Sequence, residues 1–324
     1  MNRTLWVILV GACLIAPFFV YPVFLAKLLC FGLFACAFNL LIGYTGLLSF
    51  GHAAFFGSAA YVCGYLARDV GLTPELAILS GGLAAGAIGY VFGALAIRRQ
   101  GIYFAMITLA LAQIVFFIAL KAPITGGEDG LQGVPRGNAL GLIDLNDTMA
   151  MYYFVMTVFL AGFWLIARIV DSPFGQVLKA IRENEPRALS LGFNVARYKH
   201  MAFVLSAALA GVAGATKTIV FQFASLPDAS WHLSGEVVLM TLLGGLGTIL
   251  GPMVGAFTVV SLQSELSGFG SWVTVAIGLT FIVCVLLFRR GIVGELEHFF
   301  RKRFSTVKVD QKPSVRHEST TETR

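Results

Sequence analysis

Three ionisable side chains of this chain, Lys27, Lys217 and Glu236, stand in strongly apolar surroundings. Charges at membrane depth mark candidate routes for a polar substrate or ion, because hydrocarbon makes them costly to keep. Lys217 and Glu236 also have plain structural accounts, so both readings stay open. Lys217 falls late in an apolar run and is close enough to its end to snorkel outward. Glu236 sits in the first turn of the next run, where a carboxylate complements the helix dipole. Lys27 lies near the end of another run. No chain of charges connects them, which argues against a proton relay and so against an ion-coupled carrier.

Other chemistry is thinly represented. The five cysteines (Cys13, Cys30, Cys36, Cys63, Cys284) lie in apolar segments with no C-x-x-C spacing and no neighbouring histidine. They read as small buried hydrophobes, with neither a disulfide framework nor a metal site indicated. His52 follows Gly51 at a turn and reads as a hydrogen-bonded packing residue; His200 and His232 join no constellation. No Ser/His/Asp or paired-carboxylate arrangement can be assembled, so an enzyme is the weaker class and no cofactor is expected. A G-x-x-x-x-G-K-[ST] loop, which would cradle nucleotide phosphates, is absent from the sequence.

The segment Asp171–His200 is the most informative polar stretch. Ser172-Pro173 supplies an N-cap hydroxyl and a proline at the first helical position. Phe174, Val177, Leu178 and Ile181 then recur at helical spacing and give one apolar face, with Lys179, Arg182 and Glu183 away from it. Asn184-Glu185-Pro186 is expected to break the chain, and Arg187–Leu191 to form a second short helix stopped by Gly192. Two capped helices are more than a connection between spans requires. They suit the docking of a soluble partner or, alternatively, an amphipathic helix lying on the membrane.

These segments are positioned by a very apolar chain. Of 324 residues, 57% are hydrophobic and 12% charged, with mean hydropathy +0.82. Soluble domains carry about 25% charged residues, so the composition implies an all-α polytopic bundle whose exterior faces lipid. Spans are expected at about 5–24, 28–47, 50–67, 75–97, 102–121, 150–169, 201–222, 235–248, 252–266 and 271–288. The eighth and ninth are short enough to be two arms of a re-entrant hairpin. The N-terminal run resembles a lipoprotein cleavage box at Cys13 but continues past it, so it reads as an uncleaved first helix.

The net charge of +6 does not point to nucleic acid, because the basic residues lie between and after the apolar runs. Arg3, Arg98, Arg99, six residues from Arg168 to Lys199 and nine from Arg289 onward fall on one side, against acidic or neutral opposite loops. This places both termini in the cytoplasm. A permease domain over 1–304 would be followed by a disordered polar tail, 305–324. Gly82/Gly86, Gly89/Gly93 and Gly247/Gly251/Gly255 read as close-packing stripes. A weak internal echo links Gly46–Gly51 with Gly247–Pro252.

Taken in order, several motifs resemble LivM-type permeases of branched-chain amino acid ABC transporters. Ser172-Pro-Phe-Gly-Gln-Val-Leu-Lys-Ala-Ile-Arg-Glu-Asn-Glu185, with Ala188 and Ser190-Leu-Gly192, is similar to the family's coupling loop. Asn39–Phe55, Tyr103–Ala110, Thr125-Gly-Gly127 with Asp129-Gly-Leu131, and Gly244–Thr248 with Gly251-Pro252 resemble its other signatures. The resemblance runs from about residue 30 to 290. It implies ATPase coupling through Ser172, Pro173, Phe174, Gly175, Lys179, Ala180, Arg182, Glu183, Asn184, Ala188 and Gly192. Thr125, Gly126 and Gly127 become substrate-path candidates beside Lys217 and Glu236. It further implies a second permease of LivH type, two ATP-binding cassette ATPases of LivG/LivF type and a periplasmic substrate-binding protein, in the inner membrane of a bacterial cell. Related urea and short-chain amide permeases share these signatures, so that substrate class stays open.

Overall fold

The computed structural model describes residues 3–139, 141–266, 275, 278–279, 282 and 291–295. Most of the expected tenth span, Cys284 and the polar tail lie outside the described residues. What is described is an all-α membrane-type fold with five helices long and apolar enough to cross a bilayer. They are α2 (Pro22–Thr45), α4 (Pro74–Ala96), α5 (Ile102–Lys121), α6 (Thr148–Asp171) and α9 (Val195–Phe221). The remaining helices are α1 (Arg3–Ile15), α3 (His52–Arg68), α7 (Pro173–Glu183), α8 (Glu185–Ser190), α10 (Trp231–Gly244) and α11 (Gly251–Glu265).

The first expected span is corrected. A single helix over 5–24 does not form: α1 ends at Ile15, a 3₁₀ turn covers Ala16–Phe18, and α2 begins at Pro22 rather than near residue 28. Proline is the cause. Pro17 and Pro22 each suit the start of a helical segment, and Tyr21, preceding a proline, is driven to an extended ψ of 124°.

α2 is apolar on every face and accordingly occupies the centre, buried almost continuously from Leu25 to Thr45. α9 lies against it, the short α3 meets it through Phe56 and His52, and α4 covers α3 and α9; α6 and α11 close its other flank. α4 and α9 share the most extensive helix–helix contact. Gly82, Gly86, Gly89 and Gly93 face Val212, Ala208, Ala207 and His200 of α9 in turn, so the stripe places the two backbones close together. A Cβ on Gly211 would overlap that of Ala85, and one on Gly214 would overlap the Phe56 carbonyl. The third expected stripe is only partly helical. Gly247 sits in the α10–α11 connection at φ +75°, while Gly251 and Gly255 abut the backbone of α10.

His52 opens α3 fully buried, with Nε2 2.8 Å from Ser206 Oγ and the rings of Phe38, Phe55 and Phe203 around it. Two two-stranded pairings lie at the opposite end of the bundle from α7 and α8. Strand β1 (Leu131–Gln132) pairs antiparallel with β4 (Phe223–Ala224), and β2 (Asn138–Ala139) with β3 (Ile143–Asp144). The β1–β4 register sets Leu131 opposite Ala224 and so ties the 122–147 connection to the end of α9.

α10 and α11 pack together and contain 14 and 15 residues. At 1.5 Å per residue each is roughly 21–23 Å long, short of a hydrocarbon core of about 30 Å.

The tight α9 contacts generate a prediction. Gly211→Val should destabilise the detergent-solubilised protein by about 1–3 kcal/mol through overpacking. Gly235→Ala, at a position with open space around it, should stay within about 0.5 kcal/mol. Thermal unfolding of the two variants beside the parent checks the contrast.

Candidate functional site

At one end of the bundle, α7 and α8 form a platform. Ser172 Oγ accepts the Gly175 amide at 3.3 Å, and Asn184 Oδ1 caps α8 through the Arg187 amide at 3.0 Å. α8 starts at Glu185, so Asn184 is the cap rather than part of a longer break. Pro186 fits inside the first turn, where no backbone donor is lost.

The apolar face of α7 points inward. Leu178 enters the main core; Ile181 joins Ala188 and Val195 in a small cluster sealed by Val177 and Tyr198. Phe174 stacks on Tyr198 at 5.6 Å. Buried Gly175 lies directly over the end of α6, where a Cβ would overlap the carbonyl oxygens of Val170 and Ile169.

Polar contacts complete the attachment. Glu185 accepts from Lys199 Nζ at 2.7 Å and from Gln100 Nε2 at 2.9 Å, tying α8 to α9 and to the α4–α5 turn. Arg182 Nη1 donates to the carbonyl of Gly43 near the end of α2, and Lys179 Nζ stands 5.8 Å from the Tyr44 ring. Asn39 clamps the neighbouring turn: its Nδ2 donates to Thr248 O at 2.8 Å and its Oδ1 accepts from the Gly247 amide at 3.0 Å. Both glycine-rich connections noted in sequence lie against the Arg182 side chain, through Gly46 and Gly247. Pro173, Ala180, Glu183, Asn184 and Gly192 remain exposed, together with Leu189 and Leu191.

The other sequence candidates gather at the opposite end, in two groups. Thr125 caps the end of α5 by donating to Ala122 O at 2.7 Å, and Gly126 and Gly127 continue the turn at φ +77° and +62°. Thr125 also borders an apolar cavity of about 430 Å³ among α3, α4 and α5, whose lining includes Ser58, Tyr61, Phe92, Leu111 and Val115.

Lys217 is corrected. It does not snorkel outward; it is buried and donates to both carboxylate oxygens of Asp228 at 2.9 and 2.6 Å. The rings of Phe223 and Phe221 lie 4.9 and 5.7 Å from its ammonium. Ser225 amide and hydroxyl both donate to Asp228 Oδ2, at 3.2 and 2.7 Å, so the acid also caps the Leu226–Ala229 turn. Sequence reasoning missed Asp228, although Ser225-x-x-Asp228 carries the spacing of a capping box. Glu236 lies half-buried in the second turn of α10, and Lys27, half-buried in α2, is within electrostatic reach of it and of Lys217.

Residues 23–288 match the family described as "branched-chain amino acid transport system / permease component". The chain is 27% identical over 278 residues to the high-affinity branched-chain amino acid transport system permease protein LivM of Escherichia coli. That alignment covers 79% of this chain and 65% of the LivM protein, so the chain spans just under two thirds of its length. It is 26% identical over 286 residues to the BraD permease protein of a high-affinity branched-chain amino acid transport system in Pseudomonas aeruginosa, covering 82% and 92% of the two chains. The ribose import permease protein RbsC of Bacillus subtilis is 31% identical over 52% of each. No solved structure matches.

The buried pair makes a prediction with a sign. Removing one partner, by Lys217→Met or Asp228→Asn, strands a buried charge and should cost about 3–5 kcal/mol. The double change Lys217→Met/Asp228→Leu should recover most of that loss. Unfolding of purified protein measures it, and a double variant as unstable as the singles would contradict a purely pairwise role.

Proposed function

This chain belongs to the permease-component family of branched-chain amino acid transport systems, and from that premise we propose that it is a membrane subunit of an ATP-driven importer. Its cargo would be branched-chain amino acids, moved into the cytoplasm. The observation that supports this best is the α7–α8 platform, which is braced on α2, α6 and α9 and leaves a charged and apolar outer surface exposed.

In this reading the platform is cytoplasmic, both termini share that side and about ten segments enter the membrane, α10 and α11 among them. Residues 1–304 form the permease and 305–324 a polar cytoplasmic tail, in a bacterial inner membrane. The chain has no catalytic role of its own. ATP is hydrolysed by two docked ATPases, a second permease of LivH type completes the pathway, and a periplasmic binding protein delivers the substrate.

Force from the closing ATPases enters through Ala180, Arg182, Glu183 and Leu189. Two contacts receive it. Gly175 transfers displacement of α7 to the end of α6, while Arg182 meets the end of α2 beside the Asn39-clamped turn. A rigid shift of these helix ends supplies the change between two packed arrangements that alternating access needs.

Glu183 and Gly175 should separate docking from attachment. With cognate ATPases in proteoliposomes, Glu183→Lys should lower substrate-stimulated ATP hydrolysis about tenfold while the permease inserts normally. Gly175→Val should do so by lifting α7 off the Val170 and Ile169 carbonyls. Unaltered transport-coupled hydrolysis in both would overturn the assignment. Uptake of leucine, isoleucine and valine that survives loss of ATPase activity but collapses with the ion gradient would overturn the importer reading itself.

A further inference from the structure

At the platform end of the α4–α9 seam, both helices line one pocket of about 310 Å³. Three of its side chains can donate to an anion: Arg98, just past the end of α4, and Arg197 and His200 in the first two turns of α9. Ala94, Ile97 and Ala196 contribute apolar lining. Both arginines are exposed, and among the described residues neither guanidinium has a carboxylate partner. Glu185 is committed elsewhere, to Lys199 and Gln100. His200 is half-buried and held in place. Gly93 lets it approach, since a Cβ there would stand 2.9 Å from Nδ1, and the Tyr90 ring meets the imidazole edge-on at 4.8 Å.

Two guanidiniums lining one pocket repel each other, and a bound anion relieves that cost. The surroundings indicate which anion. Tyr90 and Leu83, progressively deeper along α4, and Met201, next after His200 on α9, are all exposed on the outside of the bundle, where hydrocarbon would cover them. A free anion leaves this apolar surface unused. A phospholipid uses both parts: its phosphate accepts charge-assisted hydrogen bonds from the arginine forks, and its chains lie along the seam. The pocket has the volume of about ten waters at roughly 30 Å³ each, room for a phosphate with its glycerol stem. The ammonium of a zwitterionic head would meet a second guanidinium, so an anionic head fits better. Basic pockets between membrane helices select such heads.

We propose that this pocket binds the phosphate of an anionic phospholipid through Arg98, Arg197 and His200, with the acyl chains on the surface of Tyr90, Leu83 and Met201. Only the leaflet, the cytoplasmic one, rests on the importer reading. A head group held there joins the end of α4 to the start of α9 beside Lys199, and so braces the helix to which Glu185 ties the platform.

The test titrates the purified full-length protein in detergent with phosphatidylglycerol and counts bound lipid by native mass spectrometry. Phosphatidylcholine serves as the zwitterionic reference and should bind about tenfold more weakly. Arg98→Gln and Arg197→Gln should each weaken phosphatidylglycerol binding about fivefold, the loss of one cation beside a lipid anion. Arg98→Lys and Arg197→Lys should retain most of it. Arg99→Gln removes the adjacent cation, which is not in this lining, and should leave binding nearly unchanged. Excess inorganic phosphate should not displace the lipid. Equal affinity for phosphatidylcholine would reduce the pocket to an apolar groove, and displacement by phosphate would make it a free-anion site. An equal loss in Arg99→Gln would make the effect one of general surface charge. Any of these, or unaltered binding in both glutamine variants, overturns the proposal. No ATPase, second permease or cargo enters the measurement, so its failure leaves the importer reading intact.

Discussion

A helix in hydrocarbon gains nothing by burying apolar surface against another helix, because lipid tails are as apolar as leucine. The rest of this structure depends on how that constraint is met. Close approach must come from van der Waals contact, which favours small residues wherever backbones meet. The α4 glycines against Ala207, Ala208 and Val212, and Gly211 and Gly214 against Ala85 and Phe56, are that solution. They draw α3, α4 and α9 into a block around α2. The large side chains are gathered instead on the aromatic side of α2, where Phe34, Phe38, Phe55, Phe56 and Phe203 are fully buried.

The same solvent makes an interior polar group costly unless it finds a partner within the protein. His52 reaches Ser206, whose hydroxyl donates to Ala37 O; Asn39 uses its amide in both directions on the Gly247–Thr248 turn. Lys217 and Asp228 neutralise each other. These contacts lie at the places where helices change direction or meet a connection. They fix the two ends of the bundle, and Ser206, midway along α9, also pins that helix to α2.

Much of this organisation was legible in the residues. The apolar runs announced α2 to α6 and α9, because spans of that length have few alternatives, and Ser172-Pro173 announced α7 because its capping chemistry is local. The limits were long-range. Nothing near Lys217 in the sequence identifies Asp228 as its partner, since the two are joined by a turn whose place is set by packing against α3 and α5. Asn39 and Gly247 are more than two hundred positions apart. The break between α1 and α2 was readable from Pro17 and Pro22, but the continuous apolarity of residues 5–24 outweighed it.

The arrangement of α2 and α10 links the platform to the opposite end of the bundle. The end of α2 nearest the platform receives Arg182 through the Gly43 carbonyl, and one turn earlier Asn39 holds the connection that follows α10. Lys27 and Glu236 occupy the far ends of these same two helices. A helix of 24 residues is about 36 Å long and resists compression along its axis. In the importer reading, displacement applied under α7 would therefore reach the opposite end as a change in the relative position of α2 and α10. A platform remote from the far end of the bundle would in this way move that end through two helices it touches only at their near ends.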